Sequence, residues 1–187
     1  MRSLSQPKEF KIMKLIAATT ALAALALLTP VQAEDAAPPN DAQIAMIAVV
    51  ADSIDIDAGK LAEEKSSNEK VKEFAKTMVR DHTAVNAKAT ALAKKLNVTP
   101  EESGTSKSLQ ADADKTMAKL KGLSGAEFDK AYVDNEVAYH EAVIGVVTKT
   151  LIPNTKNAEL KSLLESAGPI FTSHLEHAKH LQQSLNK

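Results

Sequence analysis

Apolar residues in this chain recur at steps of three and four along four long segments, and no run of strand length alternates apolar with polar. That periodicity puts them on one face of a helix and makes helix packing the organising principle. Ile44, Ile47, Ala51, Ile54, Ala58 and Leu61 define a first helix over residues 41–65, with Asp41 as its expected N-cap. Ser66-Ser67-Asn68-Glu69 has the Ser-x-x-Glu form of a capping box and predicts a tight turn into a second helix. Val71, Phe74, Met78, Val85, Ala89, Leu92 and Leu96 line that helix, and Asn97-Val98-Thr99-Pro100 ends it.

A polar stretch over 101–107 leads to Leu109, Ala113, Met117 and Leu120, which predict a short helix lying across the bundle within a long connection. Ser124-Gly125-Ala126-Glu127 reads as a second capping box opening the third long helix. Phe128, Tyr132, Val133, Val137, Val143, Ile144, Val147 and Leu151 give that helix a broad apolar face before Pro153. The fourth carries Leu160, Leu164, Ala167, Phe171, Leu181 and Leu185, with a kink expected at Gly168-Pro169. The sum is an all-α four-helix bundle whose long connection carries a short extra helix, as in ferritin-like folds. An outer-membrane barrel, which needs many alternating segments of about ten residues, is excluded by the pattern.

The N-terminus has a different logic. Lys14, the apolar run Leu15 to Leu28, and Pro30 before Val31-Gln32-Ala33 form the charged, apolar and small-residue regions of a secretory signal peptide over 1–33. The apolar run falls short of the roughly 20 residues of a spanning helix, so cleavage after Ala33 is expected in place of a permanent anchor. Translation can begin at Met1 or at Met13. Residues 34–40, Glu-Asp-Ala-Ala-Pro-Pro-Asn, read as a flexible leader to a helical domain over 41–187. Export leads to a periplasmic or secreted protein.

Net charge bounds the partners. The full chain carries −1 at pH 7, and losing Arg2, Lys8, Lys11 and Lys14 together with Glu9 takes it to −4. Such a domain has no basic footprint for nucleic acid, and no further apolar run predicts membrane insertion after cleavage. With no cysteine, disulfides, thiolate metal sites, covalent haem and a lipidated N-terminus are all excluded. Phosphate-binding glycine loops, nucleophile elbows and the HExxH signature are absent, which leaves hydrolase and kinase readings without support.

The candidate site comes from polar residues on apolar stripes. His82 occupies a core step between Met78 and Val85, His140 one between Val137 and Ile144, and His174 one between Phe171 and Ala178. Three helices thus each point one imidazole inward. The first helix offers Asp55, between Ala51 and Ala58, and Glu136 precedes His140 by one turn on the same face. Buried carboxylates and imidazoles are costly unless hydrogen-bonded, paired or bound to metal. A site drawn from Asp55, His82, Glu136, His140 and His174 suits a transition metal, with iron, zinc, copper, nickel and manganese all compatible.

The alternatives start from the same residues. The histidines serve equally well as core polar groups satisfied by backbone, tyrosine or acid, in a non-enzymatic scaffold or binding protein of the envelope; as a set of buried imidazoles they would also suit a pH sensor. Counting along antiparallel helices from turns near residues 66 and 154 separates His82 from Asp55, and His174 from His140, by roughly 7–9 Å at about 1.5 Å of rise per residue. That register predicts a subset of the five as one compact site. His177 and His180 share an exposed edge of the last helix and read as solvated surface, while Tyr132 and Tyr139 read as core side chains bonding inward.

Several stretches resemble a bacterial envelope family named only as a domain of unknown function, DUF4142, labelled predicted outer membrane protein and regarded as ferritin-like. They are Asp55-Ile56-Asp57-Ala58-Gly59-Lys60-Leu61-Ala62, Val71-Lys72-Glu73-Phe74-Ala75 with Met78-Val79-Arg80-Asp81-His82-Thr83, Phe128-Asp129-Lys130-Ala131-Tyr132-Val133 through His140, and His174-Leu175. The resemblance implies the bundle fold and places His82, His140 and His174 where the family carries histidine. Asp55 stands where a Glu is expected. The paired Glu-x-x-His motifs of ferritins and di-iron oxidases are missing, so the resemblance implies neither storage nor oxidase activity.

Overall fold

The computed structural model describes residues 37–186, and within them every regular element is helical. The segment expected to be a signal peptide and part of the expected leader lie outside the described residues. Four long helices form the bundle: α1 (Asp41–Lys65), α2 (Glu69–Lys95), α4 (Gly125–Val146) and α6 (Ala158–Leu185). Between the second and third of these, α3 (Gly104–Gly122) fills the long connection. No helix among the described residues is long and apolar enough to cross a membrane.

The helix ends show which local signals won. Asn40, not Asp41, caps α1: its side chain accepts from the Gln43 amide, and Gln43 bonds back to the Asn40 amide. Asp41 is released for a tertiary role, accepting at 2.9 Å from the amides of both Lys156 and Asn157 and so tying the start of α1 to the turn before α6. The Ser66 capping box does not form. Asn68 caps α2 by accepting from Lys70, while Ser66 ends α1 and its hydroxyl accepts from the Asn68 amide. Ser and Asn side chains two residues apart compete for the same free amides, and the later one sets the start. Ser124 holds the N-cap position of α4 but makes no side-chain cap. At the far end of α2, Asn97 takes the left-handed conformation (φ 53°) that terminates helices.

One further expectation is corrected. The extra helix is not short: Ser103 and Ser106 form a reciprocal cap that starts α3 five residues before Leu109, and it packs chiefly along α1. At Gly168-Pro169, where the sequence predicts a kink, α6 runs on as one helix with Pro169 inside it. Pro169 and Glu165, whose carbonyl the proline leaves without its amide, are both exposed, so water can satisfy what the ring removes. A change of helix type is seen in α4, which passes through a π-helical turn, Val147–Leu151, into the short α5 (Ile152–Asn154).

The interior is apolar at both ends and polar in the middle. Ala62, Val71, Phe74, Met78, Phe128, Tyr132 and Leu181 pack one end. Ile44, Ile47, Val147, Leu151, Leu160 and Leu164 pack the other. Between them lie Asp52, Asp55, His82, Glu136, His140 and His174, all buried.

Candidate metal centre

Each long helix contributes to this layer because each places a polar residue on its core stripe near mid-length. The three imidazoles form a nearly equilateral triangle, with ring centroids 5.6 Å apart for His82–His140, 5.1 Å for His82–His174 and 5.5 Å for His140–His174. Phe171 stacks on His82 at 5.2 Å and an interplanar angle of 9°, fixing that ring's plane.

Every imidazole is anchored through one nitrogen. His82 Nδ1 donates to Asp52 Oδ1 at 2.8 Å, His140 Nδ1 to the Glu136 carbonyl at 3.0 Å, and His174 Nε2 to Asp81 Oδ2 at 3.0 Å. Those acceptors require the N–H on the bonded nitrogen, so in the neutral ring each tautomer is set and the opposite nitrogen carries the lone pair. The opposite nitrogens, His82 Nε2, His140 Nε2 and His174 Nδ1, are buried and lack hydrogen-bond partners, as do both Glu136 carboxyl oxygens.

Ligand atoms of His82, His140 and His174 all lie within 4.8 Å of one another, and so do those of Asp55, Glu136 and His140. His82 Nε2 is also 3.5 Å from Asp55 Oδ2. All five residues singled out in the sequence therefore meet in one contiguous layer, and the separation of roughly 7–9 Å expected from register counting is not found. The two triads share His140. His177 and His180 are exposed, as expected. Tyr139 donates to the Ala51 carbonyl at 3.1 Å, while the buried Tyr132 hydroxyl has no partner.

Burial and charge tune the layer consistently. Burial, reinforced by the neighbouring His82, pulls His140 down to about 3, and burial also lowers His174 against the pull of Asp81. Burial opposes protonation of His82 too, but the Asp52 hydrogen bond and the charges of Asp55 and Asp52 reverse this and leave it raised. Burial pushes Glu136 up to about 8 and holds Asp55 well above the carboxylate range, with Glu136 adding to the effect. Asp81 differs: the Arg80 hydrogen bond, assisted by His174, brings it down to about 2, so it stays ionised. At neutral pH His140 and His174 thus carry free lone pairs and Glu136 retains its proton, a donor set able to take a cation by releasing that proton.

Two participants were not anticipated from sequence: Asp52 and Asp81. Asp52 lies three residues before Asp55, on the same helix face, which is the one signal for it. Asp81 precedes His82 and so points away from the core stripe, toward the flank that meets α6.

A family model described as a domain of unknown function, DUF4142, matches residues 26–181. Among solved structures, CopM in the Cu(II)-bound form is similar, with a TM-score of 0.60 at 13% identity over 79% of this chain and 98% of that chain. At that identity the likeness speaks for the helical-bundle fold. No curated protein matches the sequence. The chain belongs to the DUF4142 family.

Proposed function

We propose that this DUF4142 member is an exported periplasmic bundle that binds one transition-metal ion between α2, α4 and α6, through His82, His140 and His174, with Asp55 and Glu136 as adjoining acids. The observation that carries the reading is the set of three buried, unpartnered imidazole nitrogens, on residues whose ligand atoms lie within 4.8 Å of one another and whose opposite nitrogens are each held by a carboxylate or a carbonyl. Metal-ligating histidines are oriented in this manner. In a core histidine that serves packing alone, a buried nitrogen without a partner is a cost with no return.

The imidazole-rich donors suit copper, zinc or nickel better than magnesium or calcium, and divalent copper binds nitrogen sites most tightly. The similar fold of CopM, described in a Cu(II)-bound form, makes Cu(II) the first ion to test. Binding and sequestration of the ion are the proposed role. Paramagnetic resonance of Cu(II)-loaded protein tests it: nitrogen hyperfine structure is expected, altered in His82→Ala, His140→Ala and His174→Ala proteins that retain their helix content. A spectrum indifferent to all three substitutions would overturn the assignment.

A further inference from the structure

An apolar pocket of about 90 Å³ extends from this polar layer toward the π-helical turn. Its wall is hydrocarbon from Ala51, Val143, Val147, Leu151, Leu164 and Phe171, and Asp52, Asp55 and His82 reach it where it abuts the layer. Two features of the chain create the space. Alanine occupies the α1 side at Ala51 and the α6 side at Ala167, and the π-helical turn advances α4 by an extra residue so that Val147 and Leu151 both face inward. Unfilled interior space costs stability, and one longer side chain at either alanine would fill it. At the inner end Asp52 accepts from His82 and the Tyr139 hydroxyl donates to Ala51, while Asp55 and the free His82 Nε2 belong to the polar layer the pocket abuts. Away from that end the wall is hydrocarbon, which offers nothing to an ion and favours an apolar occupant over water.

We infer that the pocket binds a small uncharged apolar molecule, of dioxygen to xenon size, and holds it beside His82. The size follows from volume, since an apolar cavity of about 150 Å³ accommodates benzene and this one is smaller. The inference depends on the pocket and not on the metal. Xenon is the probe, and the protein is tested metal-free, so that failure here leaves the metal assignment standing and failure there leaves this one.

Xenon-129 resonance on the purified protein should show saturable binding at one site. Val143→Phe should abolish it, and Leu164→Ala, which enlarges the space, should tighten it several-fold and admit benzene. A xenon shift that never saturates in the unaltered protein would overturn the inference. So would a folded Val143→Phe that binds xenon undiminished, or a folded Leu164→Ala with no gain.

Discussion

The Nδ1 atom of His82 lies 2.8 Å from Oδ1 of Asp52, with both side chains shut off from solvent. A carboxylate in this position dictates which nitrogen carries the proton and aims the other at the centre of the bundle. If that orientation serves a metal, Asp52→Asn should weaken Cu(II) binding by about 10–100-fold while the bundle remains folded, because partners of this kind carry roughly that share of affinity. Competition against a chelator of known affinity reads the change directly. Undiminished affinity would reduce Asp52 to a packing partner.

Stability of the metal-free protein should depend on pH from both sides. Glu136 has a folded pKa of about 8, above its ordinary 4.5, so the folded state binds the extra proton and stability falls as pH rises between those values. His140 is the reverse: with a folded pKa of about 3 against an ordinary 6.5, it withdraws stability as pH falls across that window. Asp81, held at about 2, adds a loss on the acid side below its ordinary 3.8. Between 4.5 and 6.5 the Glu136 and His140 slopes oppose one another, which predicts a plateau there with declines on either side. Denaturant midpoints measured across pH check this, and Glu136→Gln should shrink the alkaline decline, leaving the part that the raised Asp55 and His82 contribute. An unchanged alkaline slope in that variant would refute the role given to Glu136.

Close approach of α1 and α2 rests on Gly59. A Cβ there would sit 2.8 Å from Val79 Cγ2 and 3.1 Å from the Ala75 carbonyl oxygen. Overpacking costs about 1–3 kcal/mol, against a helix-propensity gain of about 1 kcal/mol for replacing glycine with alanine. Gly59→Ala should therefore lower the urea midpoint with no change in slope. A raised midpoint would show that the two helices separate freely and that their contact does not fix the level of Asp52 and Asp55.

Much of this organisation was legible in the residues. The apolar stripes located the four long helices, and the same stripes placed His82, His140 and His174 inward, because a three- or four-residue step leaves a polar side chain no other direction. What failed was longitudinal register. The last turn lies over 155–157, so its centre is two residues beyond the point used for counting, and His140 and His174 stand 16 and 18 residues from it. Likewise Asp55 and His82 stand 12 and 15 residues from Ser67, the centre of the first turn. A shift of one or two residues at a turn doubles into the difference between opposed helices. Caps decide those shifts, and adjacent Ser and Asn side chains of nearly equal capping strength do not announce which will act. Asp81 was hidden for another reason: its contact crosses from α2 to α6 and depends on a side chain off the core stripe.

The central claim is that the buried imidazole triangle is a metal site, and elemental analysis tests it most directly. The untagged chain from Glu34 onward should purify with close to one equivalent of a transition metal, or take up one on reconstitution. A folded His82→Ala/His140→Ala variant should carry essentially none. Metal absent from the unaltered protein even after reconstitution, or retained at full stoichiometry in the variant, would contradict the account.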